Sequence, residues 1–571
     1  MSDTAHVDTF ARDNLPPRDQ WPEFSCDLPE FRFPAQLNCA AALLDDKVAS
    51  GQGERIAVLT PDGRWTYREL LDQANRIANV LVEDLGLVPG NRVLLPSPNS
   101  PMLAACMFAA WKAGGIPVPT MALLRARELA QVIQKARISH ALCDRRLAVE
   151  LEGARASCPT LSQVRYFRDD GPDSVEHLMS GKSREFANVA TAAEDVALIA
   201  FTSGTSGVPK GAMHCHRDLL AICEGFPNYV VRHAQDDIVA GTPSIAFTYG
   251  LAGVFLVPLR YGSSTVLIER HSPESLLETI GRFRVTVLYT VPLIYRSMAP
   301  LAGNYDLSSL RACVSAGEFL PVPTRAAWEQ ATGVKIIDGI GSTELGQIVI
   351  AAAGADIRPG ATGKVVPGYR AAVLDEQDRI APPGTIGRLA VKGPTGCRYL
   401  ADERQKTYVV NGWNVTGDAY LMDREGYFYY QARVDDMIVS AGYNIAGPEV
   451  ESALLAHPAV AECGVVGWPD AERGQIVKAF VVLRLGYQRS DDMVAELQAH
   501  VKRTIAPYKY PRAVEFVDSL PRTYTGKLQR FKLRPPPAPP AGAKAVAKMA
   551  VRPRRSRAKR APRPVRASIR S

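Results

Sequence analysis

The chain has 571 residues, 46% hydrophobic and 22% charged, which is ordinary globular composition but too long for one core, so at least two domains are expected. No apolar run reaches membrane-spanning length, and the first residues, MSDTAHVDTFARDNLPP, lack a basic-then-apolar signal pattern; both point to a cytoplasmic protein. The formal charge is +8, yet residues 535–571 hold three lysines, eight arginines and no acid, and removing that +11 from +8 leaves −3 for residues 1–534.

In chain order, residues 1–50 read as a polar and then compact lead-in. Thr66-Tyr67-Arg68-Glu69 is a capping box, and Leu70, Ala74, Ile77, Ala78 and Leu81 behind it share one helical face. Arg92-Val93-Leu94-Leu95 reads as a strand, and Met102 to Ala113 as a largely buried helix. Strands are expected at Val196-Ala200, Tyr261-Val266, Val285-Leu288 and Gly333-Ile337, alternating with helices in the manner of a layered α/β domain. Beyond residue 355 shorter β segments appear, such as Gly384-Val391 and Gly426-Tyr430. From Asp435 a smaller α+β unit follows, with strands near Ala461-Gly467 and Val477-Leu485 and a helix at Asp491-Arg503. The Pro/Ala/Arg stretch 535–571 has no core-forming periodicity and is expected to be a disordered tail. Ten cysteines are scattered without a C-x-x-C pair, which favours reduced structural thiols over disulfides or a metal cluster.

Four runs carry chemistry. Phe201-Thr202-Ser203-Gly204-Thr205-Ser206-Gly207-Val208-Pro209-Lys210-Gly211 follows a buried strand with hydroxyls and glycines around one lysine. Such a loop aims backbone N–H groups and a positive charge at phosphate oxygens, although its spacing is not that of the common nucleotide loop. Asp338-Gly339-Ile340-Gly341-Ser342-Thr343-Glu344 reads as a strand, a Gly-containing turn and a carboxylate. One carboxylate is enough for magnesium, which prefers few protein ligands together with phosphate oxygens. Gly412-Trp413-Asn414-Val415-Thr416-Gly417-Asp418 places an aspartate at an expected tight turn, where it could accept two hydrogen bonds from a ribose diol. Leu520-Pro521-Arg522-Thr523-Tyr524-Thr525-Gly526-Lys527 carries a mobile point charge on a long stem.

Together these runs resemble the signatures of the adenylate-forming ligases, the acyl-CoA synthetase and luciferase group, over roughly residues 66–534. The resemblance implies a large multi-layer α/β N-terminal AMP-binding domain with a β-rich subdomain (1–434), a small mobile α+β C-terminal domain (435–534) hinged at Asp435, and the tail (535–571). It implies ATP and coenzyme A as co-substrates and Mg2+ held by Glu344, with Lys527, Thr205 and Glu344 as catalytic groups. Nucleotide contacts would come from Thr202, Ser203, Gly204, Thr205, Ser206, Gly207 and Lys210, from Ser315, Ala316, Gly317 and Glu318 along adenine, and from Asp338, Gly339, Ile340, Gly341, Ser342 and Thr343. Asp418 and Arg433 would serve the ribose, although Gln431-Ala432 replaces the usual glycine before that arginine. Ser440, Ala441 and Gly442 would line the pantetheine passage, with Ala441 in place of the usual glycine.

The acid pocket is expected after the Gly241-Ser244 turn, at Ala246, Phe247, Thr248, Tyr249 and Gly250, together with Gly341, Gly346, Gln347 and Ile348. Thr248 stands where amino-acid-activating relatives carry an aspartate, which argues against an α-amino acid. Within the family the chain most resembles benzoate- and 2-aminobenzoate-CoA ligases, through Ala246 to Leu251, Val314 to Glu318, Asp338 to Gly341, Ile357 to Gly363 and Gly393 to Leu400. Those ligases continue Met-Leu-His-Ile after the glutamate, whereas this chain has Leu345-Gly346-Gln347-Ile348, which would enlarge or repolarise the pocket toward a substituted benzoate or larger aryl acid. A medium-chain or other carboxylic acid-CoA ligase is the alternative enzyme. Polyanion binding through the basic tail is an accessory reading, and the sequence leaves monomer and homodimer open.

Overall fold

The structure, a computed structural model, describes residues 4–203, 209–440, 443–470, 472–523 and 527–535. Thr66 closes its capping box in both directions, accepting from Glu69 N at 3.1 Å while Thr66 N donates to Glu69 Oε2 at 2.7 Å. The helix Tyr67–Asn79 that it starts buries Leu70, Ala74, Ile77 and Ala78. Ser100 caps Pro101–Lys112, whose residues from Leu103 onward are all buried, as its apolar composition demands.

A nine-stranded sheet forms the backbone of the large N-terminal α/β domain. Its spatial order is Lys364–Val365, Ile348–Ala351, Ile336–Gly341, Ala312–Ala316, Val287–Thr290, Ile238–Gly241, Ser264–Val266, Ile56–Thr60 and Gly63–Thr66. The six central strands are parallel and the outer ones antiparallel, so the centre is covered on both faces and reads as continuous apolar sequence. A second, parallel sheet is built from Ile116–Thr120, Arg92–Pro96, His140–Asp144 and Gln163–Phe167. Val196–Ser203 and Pro209–Cys215 pair as a hairpin. An antiparallel sheet containing Arg370–Leu374, Ile386–Lys392, Trp413–Met422 and Phe428–Arg433 is the β-rich part beyond residue 355.

The smaller C-terminal α+β domain has its own core. Val460–Asp470, Gly474–Leu483 and Ala513–Phe516 form its sheet, and Gly447–Leu455 and Asp491–Thr504 are its helices. Residues 1–534 form one compact unit; the tail from 536 lies outside the described residues.

The strands expected from Tyr261 and from Gly333 begin later than their sequence suggests. Tyr261 closes the helix Val257–Tyr261 and Gly262, at φ +72°, takes the left-handed position that ends it, so the strand begins at Ser264. Gly333, at φ +74°, does the same for Val322–Thr332 and delays the next strand to Ile336. Among the described residues no helix is long and apolar enough to cross a membrane, and no group of three or more His, Cys, Asp or Glu side chains could hold a metal. All ten cysteines are free thiols, nine of them buried.

Candidate active site

The carboxyl ends of two neighbouring parallel strands bring Ser315 to Glu318 and Asp338 to Gly341 side by side, where open α/β sheets place their ligands. Ser315 stands in register with Asp338, and Ala316 with Gly339. Gly317, just beyond the strand, turns at φ +88°. Burial pushes the Asp338 carboxyl up to about 7, against the opposing pull of Arg325. The glycines of Asp338–Gly341 lie within the strand rather than in a turn. They admit a close neighbour: a Cβ at Gly339 would sit 2.5 Å from Ile348 Cγ2, and one at Gly341 2.2 Å from the Gln347 carbonyl oxygen. The chain reverses after them, with Gly346 at φ +75°.

That reversal buries Glu344 between two tyrosines. Tyr399 Oη donates to Glu344 Oε1, and Tyr408 Oη lies 3.4 Å from Glu344 Oε2 and 2.9 Å from Ser342 Oγ. Burial and the adjacent Glu344 charge raise the Tyr399 hydroxyl far above its ordinary value, which keeps its proton in place as a donor. The same hydroxyl accepts from Lys210 Nζ at 3.2 Å. One phenol thus links the phosphate-loop lysine to the predicted metal carboxylate. His214 Nε2 donates to the Thr343 carbonyl at 2.9 Å, and burial holds this imidazole below its ordinary pKa, so the neutral ring fixes the turn from behind. Tyr399, Tyr408 and His214 carry no role in the sequence reading; Tyr399 stands in the Gly393 to Leu400 run, but nothing in that run names its partner.

Thr202 pairs with Lys210 and Ser203 with Pro209 across the hairpin. Gly204, Thr205, Ser206 and Gly207 lie outside the described residues, as do Ala441 and Gly442. Ser440 is buried in the strand Ile438–Ser440. Asp418 is not at a turn: it lies inside Trp413–Met422, at an irregularity where left-handed Gly417 lets the backbone pass 2.9 Å from Arg433 Nη2, measured from the place a Cβ would take. Arg433 Nη1 donates to Asp418 Oδ1 at 3.0 Å and to the Thr416 carbonyl at 3.2 Å, so the two predicted ribose residues are neighbours. Asp435 lies in the short turn Val434–Asp436 between the β-rich sheet and the C-terminal domain, and Arg534 donates to its carbonyl at 3.1 Å.

In the predicted acid pocket, Phe247 precedes the helical segment Thr248–Gly250 and is half-buried, while Ala246 and Thr248 are buried. Gly250 allows close approach to the Ser244 carbonyl, and the Tyr249 hydroxyl reaches the Thr290 and Val314 carbonyls at 3.0 and 3.2 Å. Gly346 opens no space. A Cβ there would lie 2.8 Å from Ile222 Cγ2 and 3.5 Å from His214 Cε1. Gln347 is held by its own fold, donating to the Ile222 carbonyl at 2.8 Å and accepting from Ile348 N at 2.8 Å. The enlargement expected from the missing side chain at 346 is therefore filled by Ile222 and His214.

Lys527 arrives from the C-terminal domain. Its Cε lies 3.8 Å from the place a Cβ would take on Gly317, at the end of Ala312–Ala316. Glu318 Oε1 accepts from Leu528 N at 3.2 Å, and burial raises this carboxyl, with Arg522 and Lys527 opposing.

Fold and side-chain arrangement are those of an adenylate-forming ligase, with Lys210 on its hairpin, Glu344 buried and Lys527 beside Gly317. The AMP-binding enzyme model matches residues 45–399 and the AMP-binding enzyme C-terminal domain model residues 449–527; the chain belongs to this family. It is 35% identical over 512 residues to the benzoate–CoA ligase of Thauera aromatica, covering 89% of this chain and 97% of that protein. The crystal structure of the anthranilate CoA ligase AuaEII in complex with anthranoyl-AMP superposes with a TM-score of 0.84 at 33% identity, covering 89% of this chain and 98% of that one. A benzoate CoA ligase from Burkholderia xenovorans LB400 gives 0.80 at 30% identity, covering 87% and 100%.

Proposed function

We propose that the protein is a cytoplasmic, AMP-forming aryl acid–CoA ligase of the benzoate or 2-aminobenzoate type. The acid carboxylate attacks the α-phosphorus of ATP, forming the acyl–oxygen–phosphorus link as the bond to pyrophosphate breaks. The thiol of coenzyme A then attacks the acyl carbon, forming the thioester while its proton is released and AMP departs. The observation that carries this reading is Lys527 of the C-terminal domain seated against Gly317 at the end of a central strand. There a positive charge can meet negative charge that develops between carboxylate and α-phosphate. Lys210 and the loop it closes take the outer phosphates, Asp418 and Arg433 the ribose, and rotation about Asp435 exchanges the Lys527 turn for the thiol passage beside Ser440.

Glu344 is a single, buried carboxylate linked through Tyr399 to Lys210, and that donor set fits magnesium, which keeps most of its coordination for water and phosphate oxygen. The bound ion would supply positive charge to the phosphates. Tyr399 and Tyr408, bonded to its two oxygens, would hold Glu344 in place for it.

The half-buried ring of Phe247 and the close approach of Gly250 to the Ser244 carbonyl suit a flat acid. The test is magnesium- and ATP-dependent AMP release over benzoates, 2-aminobenzoates, cinnamates and alkanoates, with and without coenzyme A. Release requiring both coenzyme A and an aryl acid is expected; a response to alkanoates alone would overturn the aromatic assignment and leave adenylation standing.

A further inference from the structure

Four half-buried charges alternate across the seam between the two domains. Glu318 follows the strand end Ala312–Ala316, and Arg296 lies on Pro292–Met298; both belong to the large domain. Between them stand Arg522 and Glu462 of the C-terminal domain. Arg522 Nη1 is 3.8 Å from Glu318 Oε1, and Arg522 Nη2 is 2.7 Å from Glu462 Oε2. Glu462 Oε1 in turn lies 3.9 Å from Arg296 Nη2. The four side chains are 19–31% exposed, so solvent screens them less than an ordinary surface pair.

Arg522 also opens the hairpin that carries Lys527. It bridges to Leu528, Thr523 N donates to the Lys527 carbonyl at 2.7 Å, and Gln529 N donates to the Pro521 carbonyl at 2.8 Å. Glu318 therefore grips both legs of that hairpin, one through a guanidinium and the other through the Leu528 N–H. Lys527 stands directly before the gripped Leu528, with its Cε 3.8 Å from the place a Cβ would take on Gly317.

We infer that Arg522 is a positioning residue for the adenylation half-reaction, clamped between Glu318 and Glu462 so that the Lys527 turn docks on Gly317. The inference rests on the ligase reading above. Because each domain contributes one acid and one base, rotation about Asp435 separates Glu318 from Arg522 and Glu462 from Arg296. The alternating chain exists only while Lys527 is docked, and its contribution is confined to the first half-reaction. No part of it serves the attack of the thiol.

The experiment separates the half-reactions, using acid-dependent ATP–pyrophosphate exchange for the first and conversion of a synthetic aryl adenylate with coenzyme A for the second. Arg522→Ala is expected to lower the exchange rate roughly ten- to a hundredfold through loss of placement. The fall should be in kcat rather than in the KM for ATP, and Arg522→Lys should restore part of it. Glu462→Gln and Arg296→Ala, which touch no substrate, should lower exchange by a few-fold while thioester formation from the adenylate stays within about twofold. Equal losses in both half-reactions, or unchanged exchange in all variants with intact melting temperatures, would overturn the inference. If Arg522→Ala fails to fold, the Glu462 and Arg296 variants decide it by the same ratio. A wild-type protein that shows no exchange with any acid would instead bring down the ligase reading itself.

Discussion

The two charged ends of this site are held by different physics. At one end, buried Glu344 is held by the buried Tyr399 and Tyr408, with Ser342 bonded to Tyr408 behind them, all within the large domain. At the other, Lys527 is carried on a hairpin whose Arg522 pairs across the domain seam with Glu318, and the neighbouring Glu462 crosses it to Arg296. Buried hydroxyl-to-carboxylate contacts are costly to break, because an unsatisfied partner would remain inside the protein. Half-buried ion pairs can be exchanged for water at little net cost. On the proposed reading, in which the site keeps its phosphate-binding face through two half-reactions and releases Lys527 between them, that division is what the chemistry needs.

The largest effect should come from removing the charge at the mobile end. Lys527→Ala is expected to lower acid-dependent pyrophosphate exchange by about 10²–10³-fold, the scale of losing one donor at a developing negative charge. Thioester formation from a supplied adenylate should fall far less. Comparable losses in both assays would mean that Lys527 belongs to the permanent face, and the contrast would collapse.

At the fixed end the sensitive residue is Tyr399 rather than a charge. Tyr399→Phe leaves Glu344 and Lys210 without their shared hydroxyl, and should cost ~1–3 kcal/mol in thermal or denaturant unfolding. It should also weaken magnesium-dependent ATP binding, measured by calorimetry without any acid present. Unchanged stability together with an unchanged magnesium dependence of binding would show that the phenol does not link the two.

The same contrast explains what the sequence could reveal. Lys210, Glu344 and Lys527 each sit in a contiguous run whose composition announces its chemistry. Their supports do not: Tyr399 and Tyr408 lie 55 and 64 residues from Glu344, and Leu528 lies 210 from Glu318. Such contacts are set by sheet order and domain docking, which local pattern does not encode. Capping and apolar periodicity did locate Tyr67–Asn79 and the buried helix Pro101–Lys112. They could not show that Asp418 sits in a strand irregularity, because a Gly-Asp pair writes the same signal for a bulge as for a turn. Gly346 misled in a related way: a missing side chain suggests space, but Ile222 and His214 fill it.

Asp338 allows a pH-resolved test of the fixed end. Burial raises its carboxyl from 3.8 to about 7. Between those values the folded protein binds the proton that the unfolded chain releases, so this residue's contribution favours folding below pH 3.8 and is lost as pH rises to about 7. Asp338→Asn should remove that slope. The stability difference between variant and wild type, followed by denaturant unfolding, should grow from about pH 4 to pH 7 by a few kcal/mol and then level off. A difference that does not vary with pH would mean that Asp338 is charged throughout and paired more strongly than its neighbours suggest.

Salt gives the smallest effect and sharpens the comparison most directly, because no residue is changed. The Debye length shrinks from about 10 Å at 0.1 M to 3 Å at 1 M. The Arg522–Glu318 and Arg296–Glu462 separations of 3.8 and 3.9 Å are the weak links of the seam and are partly open to solvent. Raising a non-coordinating salt from 0.1 to 1 M should therefore slow pyrophosphate exchange by about two- to threefold at saturating ATP and magnesium. Thioester formation from the adenylate, whose arrangement lacks those pairs, should respond less, and Glu462→Gln should flatten the response of exchange. If salt slowed both half-reactions alike in wild type and variant, screening would be acting on nucleotide binding at the fixed end, and the seam would carry no share of it.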